Sequence, residues 1–252
     1  MEQEKCTAVF WRGGEAVDLR GQEPGAVQSL SVTGERKTDL SFLRAYPNLE
    51  ELSLMGKCEG VEILSELKQL RDLELWLSAP ADWSSVKALP ALRTLHLRGE
   101  KNGGVAPLLP DVAILHLNEM RNTTDLAPIL APAIHLQKLY LQSLPALQSL
   151  PELEPFRELY ALKLYELHKL SDLSALSRSS LRYIAASLIA DKLPAGALAG
   201  AVLSIPNLEG AALRLVDRSE RRYSGIRKAF SAAGKSTLLR EEIHALTVWL
   251  EL

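Results

Sequence analysis

The sequence predicts an α/β solenoid, a horseshoe with a concave parallel β-sheet and short helices or turns on its convex side. Two observations carry that prediction. An apolar residue, two variable residues, an apolar residue, one variable residue and another apolar residue form a phrase that recurs from Val27 to Leu213. Leucine fills 50 of the 252 positions, while aromatic residues make up only 6%. A fixed period means that stacked units bury a shared core and leave one long face open, so function is sought on that face.

The clearest copies run Leu49 to Leu54, Leu70 to Leu75, Leu92 to Leu97, Leu136 to Leu141 and Leu159 to Leu164. With the middle apolar residue as marker, the series is Leu30, Leu52, Leu73, Leu95, Leu115, Leu139, Leu162, Ile184 and Ala211, in steps of 22, 21, 22, 20, 24, 23, 22 and 27. Alternation such as Leu52-Ser53-Leu54 has strand periodicity, with leucines inward and their neighbours outward. Successive strands are expected to pair in parallel.

Behind four strands stands an aspartate followed by an apolar pair: Asp39 before Leu40 and Leu43, Asp82 before Trp83 and Val86, Asp125 before Leu126 and Ile129, Asp172 before Leu173 and Leu176. A carboxylate there accepts bonds from free N–H groups at the start of a short helical turn, so these aspartates are expected to be caps. Pro47, Pro90, Pro110 and Pro206 stand two residues before the next phrase, where each ends the turn and feeds the next strand. With this period and these caps the chain resembles the short, internalin-like bacterial class of leucine-rich repeat proteins. The resemblance covers about three quarters of the chain and implies fold more than function. One departure stands out. The family places Asn three residues after the last strand leucine, to satisfy backbone groups in the descending loop. Here those positions hold Lys57, Ser78, Glu100, Met120, Leu144 and Leu167.

A single domain is expected: an N-terminal cap over 1–26, repeats over 27–215 and a C-terminal cap over 216–252. In the first cap, Gly13-Gly14 between two apolar runs within Cys6 to Leu19 reads as a hairpin lid. In the second, Ser219 to Gly234 has helical spacing and Ala245 to Leu252 alternates like a strand. The charges nearly cancel, 29 Lys plus Arg against 31 Asp plus Glu, which argues against nucleic acid and anionic membranes. The charged start at Met1 to Lys5 and the absence of an 18-residue apolar run point to a soluble, cytoplasmic protein, and a monomer is expected. Cys6 and Cys58 are too few for a disulfide framework and read as reduced thiols.

The outward strand positions form three columns. Trp76, Tyr140, Tyr165 and Tyr183 lie on them with Met55, Ile114 and Arg98, a composition typical of interface hot spots. Glu51, Asp72 and Glu74 precede Arg98, Lys138 and Lys163, an acidic-to-basic gradient able to orient a partner. His96 and His116 hold equivalent positions in adjacent repeats beside Glu74. A metal or acid-base site is conceivable there, but a flat ladder splays ligands that must converge, and no metal or cofactor is expected. Ala233-Gly234-Lys235-Ser236-Thr237 looks like the end of a phosphate loop, yet Ala229 stands where the first glycine belongs, within a helical pattern.

The expected activity is therefore non-enzymatic binding of a protein on the concave face, through Glu51, Asp72, Glu74, Trp76, His96, Arg98, His116, Tyr140, Lys163, Tyr165 and Tyr183. By analogy with leucine-rich repeat inhibitors that cover nuclease active sites, an immunity protein for a toxin enzyme is the specific form. A scaffold or regulatory subunit bridging two partners is the alternative.

Overall fold

The computed structural model describes residues 9–12, 23–87, 89–99, 104–189, 193–214 and 220–240. The chain divides into two compact units, Met1–Leu115 and His116–Leu252. In the first, β1 (Val9–Arg12), β2 (Ser29–Asp39), β3 (Glu51–Glu59), β4 (Asp72–Leu77) and β5 (Thr94–Arg98) pair in parallel in chain order. Strand β6 (Ile114–Asn118) crosses the division in sequence. In the second unit β7 (Lys138–Gln142), β8 (Ala161–Leu167), β9 (Tyr183–Ile189), β10 (Gly210–Arg214) and β11 (Leu239–Arg240) do the same. This is the parallel sheet that the phrase predicts.

The phrase stays in register from repeat to repeat. Leu30, Leu52, Leu73 and Leu95 are successive partners in one unit, and Leu139, Leu162, Ile184 and Ala211 in the other. All eight are buried. Just ahead of β2 to β5 and of β7 to β9 one carbonyl accepts two successive amides of the next repeat. Gln28 O takes the N–H groups of Glu50 (2.8 Å) and Glu51 (3.0 Å), and Glu50 O takes those of Arg71 (2.7 Å) and Asp72 (3.0 Å). Arg71, Arg93, Gln137, Tyr160 and Arg182 repeat the arrangement, which uses both lone pairs of an oxygen that would otherwise lie open at the strand's start.

Short helices follow the strands. Leu40–Ala45, Val61–Glu66, Ala106–Leu108 and Ser174–Arg178 are 3-10 helices, and α1 (Ala127–Leu130) is a single α-turn. The four predicted carboxylate bonds form, Asp39, Asp82, Asp125 and Asp172 accepting the N–H of Ser41, Ser84, Ala127 and Ser174 at 2.8 to 3.0 Å; Asp39 is itself the N-cap, Asp125 and Asp172 stand one residue before theirs, and Asp82 heads a turn. The 27-residue step has a physical cause in α2 (Ala195–Leu203), nine residues of true α-helix. An α-helix rises about 1.5 Å per residue against about 2.0 Å in a 3-10 helix, so more residues span the same layer.

The missing asparagines are replaced by a different device. The second residue after the last strand leucine turns left-handed in Gly56, Gly99, Glu119, Ser143, Glu166 and Leu188, with φ from 53° to 95°. In the later repeats the next side chain then points inward: Met120, Leu144, Leu167 and Ile189 are all buried. Backbone groups in these turns bond to the next repeat, Glu119 N–H to Gln142 O at 3.1 Å and Ser143 N–H to Tyr165 O at 3.0 Å. An apolar column thus stands where the family's polar one would be.

Strands β2 and β3 run on past the phrase, and Gly34 pairs with Gly56. A Cβ on Gly56 would lie 2.0 Å from the Gly34 carbonyl oxygen, at φ +95°. At the ends, Val9–Arg12 continues the parallel sheet, while the second arm of the expected hairpin and the expected strand over 245–252 lie outside the described residues, as does Cys6. The expected C-terminal helix is α3 (Glu220–Ala232). Gly234, at φ +69°, ends it: its N–H bonds Ser231 O and the Lys235 N–H bonds Phe230 O, both at 2.9 Å, the reciprocal pair of a Schellman cap.

Two outcomes are expected. Gly56→Ala costs on the order of 3 kcal/mol, a fall in Tm of about 6–12 °C by calorimetry. Gly25→Ala, where a Cβ meets nothing within 4 Å, stays within about 0.5 kcal/mol of the parent. The carboxyls of Asp39, Asp82 and Asp172 are held below their ordinary value, by backbone and side-chain hydrogen bonds from Ser41, Ser84 and Ser174. A depressed folded pKa gives stability that is present above the unfolded value of about 3.9 and lost as pH falls through the folded one. The Tm gap between the parent and the triple Asp39→Ala, Asp82→Ala, Asp172→Ala variant therefore narrows as pH drops below about 4.

Candidate functional site

In the first unit the outward rows read Ser29, Glu51, Asp72, Thr94; then Ser31, Ser53, Glu74, His96; then Thr33, Met55, Trp76. The leucines between them pin the sheet, so these side chains stand on the opposite face. Ser31, Glu51, Ser53, Asp72, Glu74 and His96 line a cleft of ≈ 560 Å³. Three carboxylates, Glu51, Asp72 and Glu74, stand in this lining, and the Ser53 hydroxyl donates to Glu74 Oε2 at 2.9 Å. Burial lowers the His96 pKa, with Glu74 and then Asp72 opposing it, so the imidazole is neutral at pH 7 and the cleft stays acidic. Beside it Trp76, 37% exposed, lies 3.8 Å beneath the Arg98 guanidinium, a cation–π contact that fixes both side chains.

In the second unit the rows are Lys138, Ala161, Tyr183, Gly210; then Tyr140, Lys163, Ala185, Ala212; then Gln142, Tyr165, Ser187. His116 stacks on Tyr140 with centroids 4.0 Å apart and planes 4° from parallel. The Lys163 ammonium lies 5.8 Å from the same ring, and Tyr165 stands two residues further along β8. His96 belongs to the first unit and His116 to the second.

Two features of this face differ from the sequence expectation. Lys138, placed among the cations of the gradient, is only 5% exposed, its ammonium 5.8 Å from the Tyr160 ring. Ala161, Ala185, Ser187 and Ala212 also face outward and are nonetheless buried, because a one- or two-atom side chain in a row of longer ones is shaded by them. Tyr183 is already engaged. Its hydroxyl donates to Glu209 Oε2 at 2.7 Å, and Arg182 grips both oxygens of that carboxylate at 2.6 and 2.8 Å. The hydrogen bond to Glu209 holds the Tyr183 pKa above the ordinary phenol value. Sequence spacing missed this clamp because its partners are 26 and 27 residues apart.

Among the described residues no group of three or more His, Cys, Asp or Glu is arranged to hold a metal ion. Cys58 is buried, and burial pushes its thiol up to about 11, far from a reactive thiolate. The Gly-Lys-Ser-Thr segment follows the C-terminal end of α3, the negative end of its dipole, which repels phosphate. One further surface escaped the sequence reading: Leu130, Ala131, Ile134, Pro151, Pro155 and Phe156 line an apolar hollow of ≈ 280 Å³ on the helix side of the second unit. Its signal was present in the 24-residue step, whose extra length carries Ile134, 60% exposed.

No protein-family model and no curated protein matches the sequence. Among solved structures, an internalin (inlF) from Listeria monocytogenes is similar, with 22% identity and a TM-score of 0.50, covering 76% of this chain. The match covers 55% of that internalin, so this chain spans about half its length. Internalin C2 of the same organism (20% identity, TM-score 0.48, 75% of this chain and 82% of that one) and a Leptospira interrogans leucine-rich repeat protein (14%, 0.38, 82% and 71%) overlay less closely. The chain has the leucine-rich repeat fold: parallel strands on one side, short helices on the other, one strand per period.

His96 is expected to titrate below 6.5 in a carbon-detected NMR pH series. Glu74→Gln removes an opposing negative charge and moves its midpoint lower still; an upward move contradicts the assignment of cause.

Proposed function

We propose that the protein is a non-enzymatic binding module that holds a folded protein partner on the outward face of its strands. The observation that carries this is the make-up of that face. Trp76 clamped by Arg98, and Tyr140 stacked with His116, are large aromatic side chains already held in place, so docking on them orders little that was mobile. Area that is costly to order in most surfaces is pre-ordered here. Within each unit the face also offers a charge contact, the acidic cleft in the first and Lys163 in the second, and such contacts favour selectivity and speed of encounter.

In its specific form the partner is an enzyme, a toxin among them, whose active site the bound module covers, and the module acts as a cytoplasmic monomer. The free, buried Cys58 thiol suits a reducing compartment. Among the described residues no helix is long and apolar enough to cross a membrane. A second reading, a scaffold that bridges two proteins, is favoured by the apolar hollow around Ile134 on the helix side. Such a hollow adds a second, chemically different surface.

With the captured partner in hand, Trp76→Ala combined with Tyr140→Ala weakens binding by about a hundredfold or more in calorimetric titration, since hot-spot aromatics each contribute about 2 kcal/mol or more. A doubly substituted protein of unchanged circular dichroism that binds as tightly as the parent refutes the strand-face assignment. Ile134→Asp leaves that affinity unchanged if the partner sits on the strands, and abolishes capture of a second protein if the molecule is a scaffold.

A further inference from the structure

We infer that the second unit's strand face receives an acidic side chain of the protein partner, Asp or Glu, with its carboxylate seated against Lys163, Tyr165 and Gln142. The inference rests on the protein-binding function proposed above and names the chemistry of the group that fits this part of the face.

The registers place these side chains together. Tyr140 is opposite Lys163 and Gln142 is opposite Tyr165 on the adjoining strands β7 and β8. The four occupy a rectangle of about 4.8 Å between strands by about 6.8 Å along them. Lys163 makes no ion pair with any described carboxylate, its ammonium resting instead 5.8 Å from the Tyr140 ring. The Tyr165 hydroxyl and the Gln142 carboxamide add donors on the same patch. In the three rows of this unit, from β7 to β10, no outward strand position holds Asp or Glu. The carboxylate that borders the patch, Glu166 at the end of β8, already accepts the Ser143 hydroxyl at 2.6 Å, so the donors around Lys163 remain complementary to an anion supplied from outside.

The size of the anion follows from the surroundings. His116 and Lys163 flank Tyr140 on either side, so the ring is held upright and forms one wall. The neighbours on the other side, Ala185 and Ser187, are short and buried, so the wall drops to a low floor beside Lys163 and Tyr165. A carboxylate on a short stem reaches the ammonium across that floor, while the partner's flat or apolar neighbour lies against the stacked rings. A carboxylate accepting from Lys and Tyr gains charge-assisted hydrogen bonds, stronger than those between neutral groups.

The test uses a phage-displayed library of disulfide-closed nonapeptides, selected on the full chain and sorted by loss of binding to Tyr140→Ala. Peptides held by this face are expected to contain an Asp or Glu whose replacement by Asn or Gln weakens binding about tenfold. Lys163→Met is expected to weaken the parent peptide equally and to make the peptide's own replacement silent, whereas Lys163→Arg retains most of the affinity. Because Lys163 lies on the surface, its variants keep the parent Tm. Peptides that need Tyr140 but are indifferent to their own carboxylates and to Lys163→Met overturn the inference and leave the protein-binding function standing. A selection that leaves nothing after that sort, every bound peptide holding to the Tyr140→Ala, Trp76→Ala and Lys163→Met variants as tightly as to the parent, overturns both.

Discussion

The structure depends on the backbone bond that one repeat makes to the next. At the heads of β2 to β5 and of β7 to β9 a single carbonyl, Gln28, Glu50, Arg71 or Arg93 in the first unit and Gln137, Tyr160 or Arg182 in the second, accepts two successive amides of the following repeat. Two donors on one acceptor leave no freedom to slide, and a slip of one residue would turn every leucine outward. Register held this way brings Leu52 over Leu30 and Leu73 over Leu52, and it brings Glu74 beside His96 on the other face with the same certainty. Core and surface are two sides of one constraint.

That constraint explains how the chain manages without asparagines in its descending turns. The strand must end and the backbone must still be satisfied, and it does both by placing one residue in the left-handed region. For Glu119, Ser143, Glu166 and Leu188 this conformation costs roughly 1–2 kcal/mol each. The residue that follows, Met120, Leu144, Leu167 or Ile189, is then aimed into the core, and its burial contributes about 1.5–3 kcal/mol. Burial is the larger effect. A polar column that must be fully bonded has been exchanged for an apolar column that needs only to be filled.

On the strand face, position and availability separate. Columns counted along the sequence name the right neighbours: Trp76 next to Met55, Lys163 next to Tyr140, Tyr165 next to Gln142. They do not tell which of these side chains meets solvent. Lys138 lies under its surroundings near Tyr160, and the Tyr183 hydroxyl is bound by a carboxylate from the next repeat. The alanines beyond Lys163 are outward but covered. What stays open is an acidic cleft in one unit and a stacked aromatic patch with a lysine in the other, a smaller and more differentiated surface than eleven outward residues suggest.

Local chemistry was legible in the sequence wherever a residue type and a spacing answer to a single physical cause. Alternating leucines at a 22-residue period mean parallel strands with an apolar face, and aspartates before an apolar pair mean caps, because few other arrangements bury the one and bond the other. The helix over 220–232 was legible for the same reason, and Gly234 as its cap, rather than a phosphate loop, follows once that helix is placed. Only the tertiary structure decided the close approach of Gly34 and Gly56, the Arg182 and Tyr183 grip on Glu209, the burial of Lys138 and the hollow beside Ile134. Each of these joins groups from different repeats, and whether two side chains touch across a strand gap depends on rotamers and on what shades them, which no periodicity encodes.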